Sequence, residues 1–151
     1  ISQGCLPFVE PNAEEYLEKA IKSKNLSLSL DYEIVSNAEV VIVTIGTPVD
    51  SNLNPSLEPV AGVIFDLADH FKKGQLLIFR NILSPQIVNR IRTLIEDKTG
   101  LKVGKDIFLA FAPELSSDNT TIKDLFNLPQ PIGTYDKQSF KAAEKFFETI
   151  T

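Results

Sequence analysis

Cysteine and histidine occur once each, as Cys5 and His70, in a chain of 151 residues. A single cysteine excludes an internal disulfide and a thiolate-held metal cluster, so no metal site is expected, and it fits a reducing compartment. No apolar run approaches the roughly 20 residues that a membrane-spanning helix requires. The opening Ile1-Ser2-Gln3-Gly4 has neither the basic nor the apolar segment of a secretory leader, and a cytoplasmic protein with no membrane partner is the expectation. Positive charge is scarce, with 15 Lys and Arg against 20 Asp and Glu for a net charge of −5. That balance argues against a partner held through its phosphate backbone, and no nucleic acid is expected. Internal repeats, low-complexity tracts and linkers are missing too, and so is a Met at position 1, which makes a fragment or a processed product the expectation. Nor does any Gly-rich GxGxxG turn stand ahead of the first buried strand.

What is present is the balance of a globular domain, 43% hydrophobic and 23% charged. The run Val40-Val41-Ile42-Val43-Thr44-Ile45 has no polar alternation and reads as a strand buried on both faces, the mark of a parallel sheet covered by helices. It ends in Gly46-Thr47-Pro48. In open α/β sheets ligands lie outside the carboxyl ends of the strands, which puts this turn on the cofactor or substrate edge.

Asn12 and Glu15 have the spacing of a capping box for a helix near 13–23, with Tyr16, Leu17, Ala20 and Ile21 on one face. Leu26, Leu28 and Leu30 alternate with polar residues and predict a half-exposed edge strand, followed by a short helical turn. Beyond the polar loop 50–55, Val60, Ile64, Leu67, Ala68 and Phe71 mark a helix near 57–72 that Gly74 ends. Leu76 to Phe79 is a buried strand. Ser84 caps a helix with Pro85 at its first position and the stripe Ile87, Val88, Ile91, Leu94 and Ile95, stopping before Gly100. Ile107 to Phe111 is the next strand. The polar stretch from Ser116 to Thr121 then reads as a site loop. Pro131-Ile132-Gly133 begins a short last strand, and Asp136 caps a helix on which Phe140, Ala143, Phe147 and Ile150 recur.

In this order the segments Gly4 to Pro11 (GCLPFVEP), Ile42 to Pro48 with Asn54-Pro55-Ser56-Leu57, Lys73 to Phe79, Leu101 to Phe111, Pro113-Glu114 and Leu128 to Gly133 resemble the second half of the cofactor-binding domain of the UDP-glucose/GDP-mannose dehydrogenase family. The likeness covers nearly the whole chain and is nearest to the UDP-N-acetylmannosamine dehydrogenase branch. It implies an α/β, Rossmann-like, mostly parallel sheet with helices on both faces, lacking the first βαβ unit, with residues 1–151 as a single partial domain. It further implies NAD as cofactor of the complete enzyme and a UDP-sugar as substrate. The alcohol would be oxidised to a carboxylate, giving a uronic acid for surface polysaccharide. Homo-oligomerisation would belong to a longer chain. Carried over by resemblance, Thr47, Pro48 and Asn81 contact the cofactor. Glu114 positions water or acts in acid/base steps, and Asp118 stands where the family has a second glutamate. Oxidising an alcohol to a carboxylate needs such groups for proton removal and water activation.

The departures are specific. Ile82 replaces a hydroxyl that touches nicotinamide, and Leu115 and Asn119 replace an arginine and a glycine of the site loop. The acidic residue that binds ribose and the nucleophilic cysteine and lysine have no counterpart, and Cys5 lies in the wrong segment to be that nucleophile. Placed in a sheet ordered 3-2-1-4-5-6, the chain would leave a gap between Leu26–Leu30 and Val40–Ile45. Taken alone, Gly46-Thr47-Pro48 is an ordinary strand-ending turn, Glu114 and Asp118 are solvated loop carboxylates, Cys5 is a small semi-buried residue and His70 closes a helix. Arg80, Arg90 and Arg92 read as members of local pairs, although Arg80 follows a buried strand and stands where it can face the cofactor edge. Two other readings stay open. One is a non-enzymatic module that kept the fold for assembly or sugar-nucleotide binding, motivated by Ile82, Leu115 and Asn119, and the other is an unrelated α/β domain with a closed sheet of its own.

Overall fold

The computed structural model describes residues 1, 4–46, 56–116 and 120–150. Along the chain lie helix α1 (Ala13–Lys22), a 3-10 turn (Tyr32–Asn37), strand β1 (Val40–Val43), helix α2 (Glu58–Leu67) running into a second 3-10 turn (Ala68–His70), and strand β2 (Leu76–Phe79). Then come α3 (Pro85–Thr99), β3 (Phe108–Phe111), α4 (Thr121–Asn127), β4 (Gly133–Thr134) and α5 (Lys137–Phe147). They divide into two compact units, Asp31–Glu114 with Gln130–Thr149, and Ile1–Leu30 with Leu115–Pro129 and Ile150–Thr151.

The larger unit carries the sheet, in the order β1-β2-β3-β4. The first two pairings are parallel and the last, Phe111 against Gly133, is antiparallel. All four residues of β2 are buried, as a central strand covered on both faces requires. Alternate side chains serve opposite faces. Val43, Leu77, Phe79, Leu109 and Phe111 form one cluster with Val60 and Ile64 of α2 and Ile87, Ile91 and Ile95 of α3. On the other face α5 packs against β2 and β3 and buries Ala143 and Phe147. The expected caps are present. Ser84 Oγ accepts from Ile87 N at 3.5 Å with Pro85 following, and Gly100 ends α3 with φ 70°. Asp136 accepts from Ser139 N at 2.8 Å and from Ser139 Oγ at 2.7 Å.

The strand expected to be buried on both faces is instead an edge strand, in which Val43 is buried and Ile42 is 45% exposed. The reason is coverage, since α5 packs mainly over β2 and β3. The gap anticipated inside the sheet is not there, because β1 pairs with β2 directly and leaves its other edge bare among the described residues. On α5 the buried stripe is Ser139, Ala143 and Phe147, a strict i, i+4 row, so Phe140 sits to one side at 40% exposure and Ile150 follows the helix.

The smaller unit carries α1 and α4. Leu17 is the one buried residue of α1, while Tyr16 and Ile21 are exposed. The capping box does not form: Asn12 takes φ 66° with no side-chain cap, and Glu15 pairs with Lys19 at 2.6 Å. Leu26–Leu30 forms no ladder, and Leu28 and Leu30 are exposed at 56% and 101%. Alternation fixes which side chains share a face but supplies no partner strand, and without one there is no sheet. Cys5 is exposed rather than semi-buried. Of the expected site loop, Thr121 opens α4, and Glu10 accepts from Ile122 N at 3.1 Å. No helix among the described residues is long and apolar enough to cross a membrane.

Candidate functional site at the carboxyl edge of the sheet

Three strand ends lie side by side in the larger unit. Arg80 N donates to Val43 O at 2.9 Å, Ala112 N to Phe79 O at 2.9 Å and Glu114 N to Arg80 O at 3.0 Å, so the ladder is carried past the last residue of each strand. This is the edge at which open α/β sheets take their ligands.

Asn81, 7% exposed, sits at the end of β2 and donates from Nδ2 to Ile45 O, tying the end of β2 to the end of β1. That bond fixes the amide, since the flipped carboxamide would set oxygen against oxygen. Its Oδ1 is buried and has no donor among the described residues. An orphaned acceptor of this kind costs about 1–3 kcal/mol. Three residues on, Ser84 begins α3, so the same edge also carries the amino terminus of a 15-residue helix.

Beside it stands a charged cluster. The Arg80 side chain, 10% exposed, donates from Nη2 to Glu114 Oε2 and from Nη1 to Gln130 Oε1, with its guanidinium 5.7 Å from the centre of the Phe147 ring. Gln130 Nε2 donates to Pro113 O at 3.1 Å and Pro131 O at 3.0 Å. Glu114 keeps 40% of its side chain exposed. A cavity of about 270 Å³ lined by Leu83, Pro85, Val88, Phe111, Gly133 and Tyr135 flanks the first turn of α3. Tyr135 OH donates to Asn89 Oδ1 at 2.8 Å. Burial raises the Tyr135 hydroxyl above its ordinary value against the opposing charge of Arg92.

Of the residues proposed from sequence, Asn81 and Glu114 are brought to this edge on adjacent strand ends, while Thr47, Pro48, Asp118 and Asn119 lie outside the described residues. Ile82 is 74% exposed, a large apolar side chain left in solvent beside Asn81. Sequence reasoning missed Gln130 and Phe147 as parts of the cluster and placed Arg80 only by its position after a buried strand. Nothing in Leu128-Pro129-Gln130-Pro131 marks Gln130 out. Arg92 forms the local pair expected of it, 3.7 Å from Glu96 and 5.2 Å from the Tyr135 ring centre. Burial pushes the Glu96 carboxyl up, but the Val103 N–H, Lys102 and Arg92 outweigh it and hold the group below its ordinary value. Among the described residues no three His, Cys, Asp or Glu side chains gather to hold a metal ion.

Residues 1–151 match the model of the UDP-glucose/GDP-mannose dehydrogenase family, NAD binding domain. GDP-mannose 6-dehydrogenase of Pseudomonas savastanoi pv. phaseolicola is 29% identical over 157 residues, covering 99% of this chain and 36% of that protein. UDP-N-acetyl-D-mannosamine dehydrogenase of Pyrococcus horikoshii is 25% identical over 150 residues, with the same two coverages. The chain thus spans about a third of the length of these relatives, at 36%. Among solved structures, UDP-D-ManNAc dehydrogenase from Pyrococcus horikoshii matches with a TM-score of 0.94 at 24% identity over 100% of this chain and 36% of that one, a likeness of fold. A ternary complex of GDP-mannose dehydrogenase from Pseudomonas aeruginosa matches with a TM-score of 0.90 at 28% identity, over 99% of this chain and 36% of that one.

Proposed function

This chain belongs to the UDP-glucose/GDP-mannose dehydrogenase family, as its NAD-binding domain, and from that premise we propose that it is part of an NAD-dependent nucleotide-sugar 6-dehydrogenase that oxidises the primary alcohol of a UDP-linked sugar to a carboxylate. The observation that carries the cofactor role of this edge is Asn81 Oδ1, a buried acceptor without a donor, set where a ligand of an open α/β sheet lies. A cofactor amide or hydroxyl supplies the donor it needs. Thr47 and Pro48, carried over by resemblance, are proposed to contact the same cofactor. NAD, when bound, supplies the hydride acceptor.

This chain is proposed to contribute carboxylates to the reaction. Glu114 has the part-exposed side chain and the strand-end position of a group that accepts a proton or holds a water, and Asp118 is proposed as a second carboxylate of the reaction. Residues 1–151 are proposed to form a partial Rossmann-like domain. The edge of β1 that has no partner strand among the described residues supports this, because it is the position at which the first βαβ unit of a 3-2-1-4-5-6 sheet pairs. A cytoplasmic, homo-oligomeric enzyme that makes uronic acids for surface polysaccharide is the proposed setting. The test is an assay of reduced nicotinamide formed by the protein carrying this chain with NAD and a panel of UDP- and GDP-linked hexoses. Oxidation of a UDP-linked sugar is expected, and no oxidation of any member of the panel refutes the proposal.

One observation favours a second reading, a non-enzymatic module. Ile82 is 74% exposed at the edge where the resemblance calls for a hydroxyl. On that reading the protein oxidises nothing and Ile82→Thr confers nothing. A gain of turnover in Ile82→Thr would refute it.

A further inference from the structure

A guanidinium cannot shed its proton, so one that is nine-tenths buried must be met on every side by acceptors or by an aromatic face. Arg80 is met by three different parts of the fold: Glu114 after β3, Gln130 before β4 and Phe147 near the end of α5. The two Nη groups take separate acceptors, which a rigid fork can do and an ammonium does without fixed geometry. The contacts close into a ring. Arg80 holds the Glu114 carboxylate, Glu114 N donates back to Arg80 O at 3.0 Å, and Gln130 links Arg80 to the carbonyl of Pro113, the residue just before Glu114. Pro113 has no N–H, so its carbonyl is its one backbone polar group and Gln130 uses it. Glu114 is therefore tied at its backbone, at its side chain and through its neighbour, while 40% of its side chain stays open.

We propose that Arg80 is the positioning residue of this edge, setting the direction of the Glu114 carboxylate through a closed ring with Gln130 and Pro113, so that replacing Arg80 is felt through Glu114. The inference rests on the dehydrogenase reading for what Glu114 does, and on the ring alone for how Arg80 acts.

The test compares Arg80→Gln, Glu114→Gln and the double variant in the protein carrying this chain. Glu114→Gln is expected to lower kcat by about a hundredfold, the low end for a lost acid/base group, with the KM for NAD little changed. Arg80→Gln should do nearly as much, and the double variant should be no slower than the slower single one, because the second change removes what the first has already disabled. Arg80→Lys, which keeps the charge and loses the fork, should recover only part of kcat. Losses that multiply in the double variant, or an Arg80→Gln protein with wild-type kcat, overturn the proposal. A second measurement is independent of turnover. Solvent exchange of the Gln130 side-chain amide protons, which donate to Pro113 O and Pro131 O, should be about tenfold faster in Arg80→Gln when followed by NMR, because losing the charged bond to Oε1 frees the carboxamide to leave both carbonyls. The Leu109 amide, which donates to Ser139 Oγ at 3.1 Å, serves as the control for an intact fold. Unchanged Gln130 exchange overturns the ring. If the wild-type protein oxidises no nucleotide sugar, the dehydrogenase reading falls, and the exchange measurement decides the ring by itself.

Discussion

Two buried carboxamides flank the central strand, Gln75 at its amino end and Asn81 at its carboxyl end, at 4% and 7% exposure. Gln75 is fully occupied. Its Nε2 donates to Val35 O at 2.7 Å and Ala38 O at 2.8 Å, and its Oε1 accepts from Lys72 N at 2.7 Å. Asn81 is half occupied, with Nδ2 engaged and Oδ1 orphaned. The same chemical group is a staple at one edge and an open valence at the other. The amino edge is thus finished as structure, and the carboxyl edge keeps an acceptor open for the ligand proposed there.

The largest effect belongs to the finished edge. Gln75→Leu strips partners from two carbonyls and one N–H at once and is expected to cost on the order of 3 kcal/mol or more, read as a lowered midpoint in denaturant unfolding. Gly104→Ala, also near the amino edge, should follow at about 2 kcal/mol, the scale of a left-handed residue forced to carry a side chain. Gly104 has φ +83°, and a Cβ there would lie 2.6 Å from Cγ of Asp136, the residue that caps α5. Asn81→Leu leaves one carbonyl, Ile45 O, without its donor but removes the orphaned acceptor, and because these two effects oppose each other its unfolding midpoint should stay within about 1 kcal/mol of wild type. A large loss there would erase the contrast with Gln75.

The smallest effect is in acid. The Lys102 N–H at 3.1 Å, then the Lys73 ammonium at 3.0 Å, hold the Asp106 carboxyl below its ordinary value. A folded value below the unfolded one gives stability that is complete above the ordinary Asp value of about 4 and is lost as pH falls through the folded value. Asp106→Asn should flatten that acid limb in melting temperatures recorded against pH. An unaltered limb would remove Asp106 from the account of the amino edge.

The central layers could be read from sequence because several local signals agreed. Leu76 to Phe79 is a short apolar run that emerges after Gly74, and Ser84, Pro85 and Gly100 bracket a helix whose isoleucines recur at helical spacing. Failures came where the outcome depended on a partner. Alternation at Leu26–Leu30 specified a face with no strand to pair it, and β1 was apolar throughout yet covered on one side only. Asn12 and Glu15 had the right spacing, but the backbone at Asn12 turned left-handed and Glu15 found Lys19. At the candidate site, Glu114 and Asn81 came from resemblance, whereas the ring around Arg80 joins residues 50 positions apart in sequence, from Arg80 to Gln130, and such a contact leaves no local trace.

The most direct test of the open carboxyl edge is a calorimetric titration of NAD into the protein carrying this chain and into its Asn81→Leu variant. The account predicts that the wild-type protein binds NAD and that the variant, still folded, binds it about tenfold more weakly or worse, the consequence of losing one buried hydrogen bond. Equal affinities would contradict it, and would make Asn81 Oδ1 a cost of the fold rather than a place for the cofactor.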